Sequence, residues 1–486
     1  MILTIDIGSS STRVALFDHS GMLVPGSVVR QARAFRIAAD GMAEDDPQLL
    51  LGRVASCLDQ ATAWAAQHNH QIEAVATATY AMGLLGIDAD GTPCTPIFTY
   101  ADTRSTDTAA ALRQAFDEQD WWERTGCPLR PGYAPALFAW LQRSRPAIWA
   151  QVARWLTIGE WLYLQLFGRA DLALSAASWT GLVNRHTGQW DDVSSKLFAL
   201  DAARWSSLTW ETPVQMGLSA AWAGRWPALR QIPWLSAISD GIAATLGSGV
   251  TDATRIAMSI GTSGALRVWL PHVPRIPPGL WCYRADQRHA LLGGATNAGG
   301  NVLAWALATL QLDAPTLDAW LLDPAGADHG LIVLPFLAGE RSPGWAGDIT
   351  ATIHGLRGNT SARDIARAAI EAVTYEWATI AALLRLVAPQ ATEISVSGGG
   401  SAHLPAWAQL IADALGLTVA VSSAAEATSR GLALLALQSL HPTAALAAAP
   451  APWSGRHVPD DARHAAHRNA MLQQRALYER LGYDLE

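Results

Sequence analysis

Two short stretches of the sequence, far apart along the chain, place a glycine and small hydroxyl side chains between apolar runs. The first is Ile5-Asp6-Ile7-Gly8-Ser9-Ser10 and the second is Ser259-Ile260-Gly261-Thr262-Ser263. Each predicts a β-hairpin whose turn presents backbone N–H groups and hydroxyls. Because glycine lets the backbone approach a ligand and N–H groups carry partial positive charge, such a turn suits phosphate. The repeat therefore favours two phosphate-binding turns, in two similar domains that face one nucleotide, over two ordinary hairpins.

The two stretches differ at one position that bears on metal binding. Asp6 of the first stretch is replaced by Ser259 in the second, so only one turn brings a carboxylate beside the phosphates. Mg²⁺ usually keeps several waters and takes only one or two protein oxygens. The lone carboxylate of Asp6 therefore predicts an Mg²⁺ site.

Length, charge and composition limit the class of protein. At 486 residues the chain exceeds what one hydrophobic core usually serves, so we expect two domains. The net charge of −8 and the lack of a basic cluster argue against nucleic acid as a partner. No apolar run suits a membrane span and no cleavable signal opens the sequence, so we expect a soluble, cytoplasmic protein. The four cysteines include no Cys-x-x-Cys pair, so neither a zinc site nor a disulfide framework is indicated.

Lysine is almost absent from the sequence. The single lysine, Lys196, lies in a polar stretch typical of a solvated surface. There is no Gly-x-x-x-x-Gly-Lys-Ser/Thr motif and no strand lysine of the protein-kinase type. If the chain handles ATP, it must do so with backbone amides, hydroxyls and Mg²⁺.

Apolar periodicity predicts an alternation of strands and helices in both halves of the chain. A linker is expected over 443–452, where alanine and proline dominate. The predicted strands are Met1–Ile7, Arg13–Phe17, Gly21–Val24, Ala74–Thr79, Leu84–Ile87, Leu331–Pro335 and Ile394–Val396. The predicted helices are Pro47–Gln67, Ser361–Leu386, Pro405–Leu415, Asp460–Gly482, one from Gly300 and one from Ala427.

Asp240 is a candidate general base. It follows the apolar run Ile232–Ile238 and precedes the second glycine turn, so a carboxylate there could accept the proton of an attacking hydroxyl. The alternative is an Asp that caps a helix starting near Ala243. The residues alone leave these two interpretations about even.

Asp102 and Arg104 follow an apolar stretch that ends at Phe98, and alternation places them on one side. They could hydrogen-bond a polyhydroxylated ligand, but the residues alone favour the simpler interpretation, a surface ion pair of little energetic value. Gly398-Gly399-Gly400 lies between a predicted strand and a predicted helix. It suits close approach of a ligand to a helix N-terminus, or simply a tight turn.

In this order the motifs resemble those of the FGGY family of carbohydrate kinases, members of the actin/hexokinase/Hsp70 superfamily. Asp6-x-Gly8-Ser9-Ser10-Ser11-x-Arg13 is similar to the family's first phosphate motif, and Gly261-Thr262-Ser263 to its second. Asp240-Gly241 falls where the family keeps its catalytic aspartate. Ser397-Gly398-Gly399-Gly400 resembles the adenosine motif, and Glu426-x-x-x-Arg430-Gly431-x-Ala433 the start of the helix behind it.

The resemblance implies an α/β fold of two ribonuclease-H-like domains with an active-site cleft between them. It implies an N-terminal sugar-binding domain (1–243), a C-terminal nucleotide-binding domain (244–442), and a linker with a terminal helix (443–486). The reaction would transfer phosphate from ATP to a small sugar or sugar acid, with Mg²⁺ as cofactor and a homodimer as a possible assembly. A rival of another class is a non-catalytic sugar-sensing protein of the same fold.

The resemblance also assigns roles to individual residues. Asp240 would be the catalytic base and Asp6 would hold Mg²⁺. The residues implied to bind the acceptor are Tyr80, Ala81, Met82, Asp102, Arg104, Tyr133, Asp240 and Gly241. Those implied to bind the nucleotide are Ser9, Ser10, Ser11, Arg13, Gly261, Thr262, Asn297, Gly300, Gly399, Gly400 and His403.

Within the family, the middle of the chain looks most like the bacterial gluconate kinases. The strings that carry this are Tyr100–Ser105, Arg124–Leu129, Gly293–Gly300 and Gly339–Trp345. Two departures lie near the implied sugar pocket. Tyr80-Ala81-Met82-Gly83 stands where relatives often have Met-His, and Leu137 stands where a lysine is frequent. From the resemblance of the strings, we expect gluconate as the first acceptor, xylulose or another ketopentose as the second, and a different polyol as the third. Arg104 or Arg130 would face the carboxylate of a sugar acid.

Overall fold

The computed structural model describes residues 1–209, 214–324, 328–398, 404–441 and 451–483. The strands are β1 (Ile2–Ile7), β2 (Ser11–Phe17), β3 (Val29–Ala32), β4 (Arg36–Ile37), β5 (Ala43–Asp45), β6 (Ala74–Thr79), β7 (Leu84–Ile87), β8 (Ile97–Phe98), β9 (Arg154–Thr157), β10 (Leu172–Ala173), β11 (Val183–Asn184), β12 (Gln189–Trp190), β13 (Leu208–Thr209), β14 (Val214–Gln215), β15 (Trp234–Ser239), β16 (Arg255–Ile260), β17 (Gly264–Leu270), β18 (Trp281–Arg284), β19 (Ala290–Thr296), β20 (Ile332–Leu334), β21 (Thr352–His354), β22 (Glu393–Ser397), β23 (Thr418–Ser422) and β24 (Trp453–His457).

The α-helices follow the same chain order. They are α1 (Pro47–Gln67), α2 (Thr106–Ala115), α3 (Glu118–Thr125), α4 (Ala134–Ser144), α5 (Pro146–Gln151), α6 (Ile158–Phe167), α7 (Leu174–Ala177), α8 (Asp192–Leu197), α9 (Ala220–Arg225), α10 (Asp240–Gly247), α11 (Gly300–Thr309), α12 (Ala314–Leu321), α13 (Ala362–Val387), α14 (Pro405–Leu415), α15 (Ala427–Leu440) and α16 (Asp461–Arg480).

The chain forms two compact units. Unit 1 comprises Met1–Gly247, Cys282–Ala290 and Ala425–Ala449, and unit 2 comprises Ser248–Trp281, Leu291–Ala424 and Pro450–Glu486. Unit 1 thus takes in two segments from later in the chain, one of which carries α15. The division expected at 243/244 and 442/443 remains a prediction.

Unit 1 is built on a six-stranded mixed sheet in the order β14-β15-β6-β1-β2-β3. Strands β15, β6 and β1 are parallel neighbours, whereas β1 and β2 form the antiparallel hairpin predicted around the first glycine turn. A second, antiparallel sheet follows the order β4-β5-β8-β7-β9. Strands β1 and β6 are buried along their whole length, as expected of parallel strands covered on both faces.

Helix α1 covers the central sheet of unit 1 and confirms the periodicity prediction. It begins after Asp46, whose side chain accepts hydrogen bonds from two backbone N–H groups, and Pro47 occupies its first turn. Leu50, Val54 and Leu58 form its buried stripe and belong to the same core cluster as the apolar side chains of β1 and β2.

Helices α10 and α15 cross within unit 1 at two glycines. A Cβ added to Gly247 would lie 1.7 Å from the Ala427 carbonyl oxygen, and one added to Gly431 would lie 1.8 Å from the Ala243 carbonyl oxygen. Only glycine allows backbones to approach this closely. The crossing matters for function because α10 begins at Asp240.

Unit 2 repeats the pattern of unit 1. Its sheet includes the order β19-β17-β16-β22-β23-β24, in which β16 and β17 form an antiparallel hairpin and β22 pairs parallel with β16. Helix α13 packs against this sheet through β17, and α16 packs against α14. The repeat of hairpin plus parallel neighbour confirms the two-domain architecture inferred from the two glycine turns.

Two local predictions are wrong. The stretch Gly21–Val24 forms only an isolated bridge, Phe17 to Leu23, because a turn starting at Asp18 reverses the chain before a strand can develop. The sequence also predicts a rigid, non-helical stretch at Pro128, Pro131 and Pro135. Pro135 instead lies in the first turn of α4, where a missing N–H removes no hydrogen bond. The predicted linker 443–452 lies almost wholly outside the described residues.

Candidate active site

Three parallel strands of unit 1 bring their carboxyl ends to one edge of the sheet. The register aligns Ile7 of β1 and Ser239 of β15 with Thr79 of β6. The residues that follow these strands are Gly8, Tyr80 and Asp240, and the Tyr80 N–H donates a 2.9 Å hydrogen bond to the Ile7 carbonyl oxygen. Ligands of α/β sheets bind at this edge. The sequence placed these residues far apart, and strand pairing brings them together.

Asp240 is the first residue of α10 and is half-buried. Asp240 therefore stands at a helix N-terminus, as the capping interpretation expected. It also places a carboxylate at the sheet edge where the three parallel strands end. These two interpretations are compatible, because one residue can begin a helix and also lie at the edge of the sheet where ligands bind. Gly241, the next residue, is buried in the helix.

Asp6 lies at the end of β1 and is 3% exposed. Burial raises its pKa to about 7; the positive charge of Arg13 opposes this shift, whereas the negative charges of Asp240 and Glu426 add to it. Arg13 lies directly opposite Asp6 on β2, and its Nη1 lies 3.4 Å from Asp6 Oδ2 and 3.1 Å from Glu426 Oε2. The Asp6 carboxyl group thus lies close to one guanidinium and feels the charges of two further carboxylates.

The first glycine turn closes with a 3.0 Å hydrogen bond from the Gly8 N–H to the Ser11 carbonyl oxygen. Ser9 is half-buried and Ser10 is exposed, so the turn is open to a ligand, whereas Ser11 is buried. The Ser11 Oγ has no hydrogen-bond partner within the described residues. The geometry suits an anion that accepts hydrogen bonds from the turn.

The second glycine turn closes in the same way, with a 2.9 Å bond from the Gly261 N–H to the Ser263 carbonyl oxygen. Gly261 and Thr262 are exposed. Within unit 2 the first residue of α11, Gly300, donates its N–H to the Gly261 carbonyl oxygen at 2.9 Å. The turn therefore lies against a helix N-terminus, which carries partial positive charge.

Of the other residues predicted to bind the nucleotide, the structure describes the contacts of Asn297. The Asn297 side-chain amide donates to the Ala338 carbonyl oxygen at 2.8 Å, so one of its polar groups braces a loop. Gly399, Gly400 and His403 lie outside the described residues, and their assignment remains a prediction.

Among the residues implied to bind the acceptor, Tyr80 lies near the segment that carries Asp102 and Arg104. The ring of Tyr80 lies 6.4 Å from that of Tyr100, which opens the Tyr100–Ser105 segment. Ala81 is half-buried, and Met82 adopts a left-handed backbone, φ 60°, that non-glycine residues rarely take. Such strain is concentrated at functional sites.

Asp102 and Arg104 form an ion pair, as the simpler interpretation expected, but it is buried rather than on the surface. Asp102 is 4% exposed, and Arg104 donates to its Oδ2 at 2.6 Å and to Glu44 Oε1 at 2.7 Å. The guanidinium also lies 4.6 Å from the ring centroid of Trp140. Two carboxylates therefore share the one positive charge, which limits what Arg104 can offer to an acidic ligand.

Tyr133 is buried, and its hydroxyl lies 2.8 Å from the hydroxyl of Tyr283. Arg130, the other cation suggested for a carboxylate acceptor, is paired with Glu118. Both predicted cations of the acceptor region thus already have carboxylate partners.

Three residues that the structure links to this edge were not predicted as site residues from the sequence. Glu426 contacts Arg13, Glu44 contacts Arg104, and Arg33 donates from Nη1 to the Gly8 carbonyl oxygen at 3.0 Å while lying 4.8 Å from the Tyr80 ring centroid. Their partners are distant in sequence, so periodicity carries no signal for them. Of the three, only Glu426 belongs to a motif that resembles the family's, at the start of the helix behind the adenosine motif.

Family models match both halves of the chain. The N-terminal domain of the FGGY family of carbohydrate kinases matches residues 1–247, and its C-terminal domain matches residues 256–440. The chain belongs to the FGGY family of carbohydrate kinases. It is an ATP-dependent sugar kinase with the two-domain, actin/hexokinase-like fold expected from the sequence.

This FGGY kinase is similar to characterised and solved relatives along nearly its whole length. It is 28% identical to a gluconokinase of Bacillus subtilis, over 90% of this chain and 87% of the relative. A xylulose kinase from Lactobacillus acidophilus has a TM-score of 0.92 at 24% identity, covering 100% and 99% of the two chains. A gluconate kinase from the same organism has a TM-score of 0.91 at 24% identity, covering 99% and 98%. The fold therefore does not distinguish between these two acceptors.

Two features are absent from the described residues. No described helix combines the length and apolar character needed to cross a membrane. The described part of the chain also holds no group of three or more His, Cys, Asp or Glu side chains arranged for a metal ion.

Proposed function

We propose that this kinase transfers the γ-phosphoryl group of Mg²⁺-ATP to gluconate, giving ADP and 6-phosphogluconate, with Asp240 as general base. The observation that carries the catalytic part is the placement of Asp240, Asp6 and the first glycine turn at one edge of three parallel strands. A base must lie at the same edge as the groups that hold the phosphates, because the attacking hydroxyl and the γ-phosphorus must meet there.

In the proposed step, the Asp240 carboxylate accepts the proton of the acceptor's terminal hydroxyl as the oxygen attacks the γ-phosphorus. The new P–O bond forms while the bond from the γ-phosphorus to the β–γ bridging oxygen breaks, and ADP leaves. The first glycine turn donates N–H groups toward the phosphates, where positioning and electrostatics supply most of the rate enhancement.

Asp6 is the residue that would hold Mg²⁺. The fit rests on a buried carboxylate that meets one guanidinium nitrogen, at 3.4 Å, and that feels the negative charges of Asp240 and Glu426. A single carboxylate with waters and phosphate oxygens is the usual Mg²⁺ environment in kinases. When bound, the ion would neutralise charge on the transferring phosphoryl group.

The choice of gluconate is supported by the similarity to the B. subtilis gluconokinase and by the Tyr100–Ser105 and Arg124–Leu129 strings. Xylulose is the second candidate, and one observation favours it. Arg104 already lies within 2.7 Å of both Asp102 and Glu44, so its charge is largely matched before any acceptor arrives. A neutral sugar would not need that charge.

Turnover against a panel of sugars, sugar acids and polyols tests the acceptor. We expect kcat/KM for gluconate to exceed that for xylulose by at least about tenfold, equivalent to about 1.4 kcal/mol of transition-state binding. Arg104→Lys should reduce this preference, because an ammonium cannot reproduce the two-nitrogen contact to Asp102 and Glu44. Arg36→Lys is the matched control, since Arg36 contacts the same Glu44 at 3.5 Å from the exposed side. A panel in which xylulose exceeds gluconate would reverse the acceptor assignment and leave the kinase assignment intact.

A further inference from the structure

Glu426 has a backbone conformation that its side chain does not favour. It immediately precedes α15, with φ 58° and ψ 57° in the left-handed region. Glycine takes this conformation without strain, whereas a residue with a Cβ does not. The side chain makes no hydrogen bond to the first turn of α15, so helix capping does not account for the glutamate. Its carboxylate instead contacts Arg13 at 3.1 Å.

Arg13 makes an incomplete contact with Asp6. The two residues are directly opposite on β1 and β2, a placement that would allow a two-nitrogen guanidinium–carboxylate pair. Only Nη1 reaches Asp6, at 3.4 Å, which is longer than the roughly 2.7–2.9 Å of a strong charge-assisted bond. The same nitrogen is closer to Glu426, and the buried Nε has no hydrogen-bond partner within the described residues. Arg13 Nη1 thus lies nearer to the Glu426 carboxylate than to the Asp6 carboxylate.

We propose that Glu426 is a positioning residue that holds the Arg13 guanidinium away from Asp6, and thereby keeps the Asp6 carboxylate available to Mg²⁺. The inference rests on the proposed function of Asp6. Without Glu426, Arg13 closes on Asp6 with two nitrogens and competes with the metal for the same oxygens. The strained backbone at Glu426 is kept because a carboxylate is required at that point.

Removing the carboxylate has a defined consequence for metal affinity. In Glu426→Gln the side chain keeps its size but loses its charge, so Arg13 pairs with Asp6 and Mg²⁺ binding weakens by about tenfold, within the range typical of outer-shell substitutions. The KM for the sugar changes by less than about twofold, because a loss confined to the metal leaves acceptor binding intact.

Glu426→Gly separates this effect from a loss of stability. Glycine relieves the left-handed strain, so this variant should be at least as resistant to thermal unfolding as wild type. It also removes the carboxylate, so metal binding should weaken as in Glu426→Gln. A purely structural role predicts the opposite pattern, with Glu426→Gly retaining wild-type metal binding.

The double variant Arg13→Met/Glu426→Gln tests whether Glu426 acts through Arg13. With Arg13 absent, nothing remains to compete for Asp6, so removing Glu426 should cost no further metal affinity relative to Arg13→Met alone. A direct metal contact by Glu426 predicts an equal loss with or without Arg13. This is a double-mutant cycle between two residues in contact.

The experiment titrates Mn²⁺, a probe with the oxygen-ligand preference of Mg²⁺, into full-length protein saturated with ADP, and follows free Mn²⁺ by electron paramagnetic resonance. The expected result is about tenfold weaker Mn²⁺ binding in both single Glu426 variants and less than about twofold change on adding Glu426→Gln to Arg13→Met. Wild-type Mn²⁺ binding in Glu426→Gln, or an equal loss in the presence and absence of Arg13, would overturn the inference. Asp6→Ala run in parallel identifies the other failure: unchanged binding there would overturn the metal role of Asp6 itself.

Discussion

The raised pKa of Asp6 predicts a specific dependence of stability on pH. Burial is the main cause of the shift, from 3.8 to about 7, and Asp240 and Glu426 add to it. Between these two pKa values the folded protein keeps the Asp6 proton while the unfolded chain releases it. The stabilising contribution is therefore complete below about pH 3.8 and is lost as the pH rises through about 7.

The size of the effect follows from the shift. Each pH unit in this window changes the free energy of unfolding by about 1.4 kcal/mol, so between pH 5 and pH 8 the loss from Asp6 is about 2–3 kcal/mol. Asp6→Asn cannot ionise and lacks this contribution. The contributions of ionisable groups that do not interact with Asp6 cancel when the two proteins are compared.

Urea unfolding of wild type and Asp6→Asn at pH 5 and pH 8, with divalent ions removed by EDTA, measures the difference. The Asn variant should gain about 2–3 kcal/mol relative to wild type at the higher pH. Adding Mg²⁺ and ADP at pH 8 should then stabilise wild type more than the variant, because only wild type offers the metal a carboxylate. Unfolding free energies that differ by the same amount at both pH values would refute the buried, proton-holding Asp6.

Three further substitutions test the placement of the site. Asp240→Asn keeps the shape of the side chain but removes the base. Turnover should therefore fall by about 10²–10⁴-fold, with ATP and sugar binding largely retained. Near-normal turnover would leave Asp240 only its role as the first residue of α10. Gly431→Ala places a Cβ 1.8 Å from the Ala243 carbonyl oxygen. It should either destabilise unit 1 by several kcal/mol or displace α10 and lower turnover. A wild-type melting curve and a wild-type rate would contradict the tight helix crossing. Tyr133→Phe removes the 2.8 Å contact with Tyr283 and should cost about 1 kcal/mol in the free energy of unfolding; no change in urea midpoint would show that the two hydroxyls do not bond in solution.

Local patterns in the sequence predicted local structure well. The bounds of α1, β6 and β7 match the predicted ranges residue for residue, because their apolar spacing is uninterrupted and their ends carry proline, glycine or polar residues. The stretch at Gly21–Val24 failed because an Asp18 turn of a few residues decided its conformation. Such short segments have too little periodicity to identify a strand.

The predicted site was less complete than the predicted fold. Asp102 and Arg104 were recognised as a possible ion pair, but their burial and the third member, Glu44, came from the pairing of β5 with β8. That burial changes the chemistry, because the positive charge of Arg104 is shared by two carboxylates before an acceptor binds. Spacing along the chain carries no information about such a partner.

The sequence by itself determined the two glycine turns, the single carboxylate of Asp6 and the family, because each depends on residue types at short, ordered spacings. Only the tertiary structure decided that Asp6, Tyr80 and Asp240 share one sheet edge, since parallel pairing of β1, β6 and β15 joins segments more than a strand apart in sequence. It also decided the protonation tendency of Asp6 and the contact of Glu426 with Arg13. Burial and charge proximity are properties of the folded chain, because both depend on which distant segments exclude water from the same place.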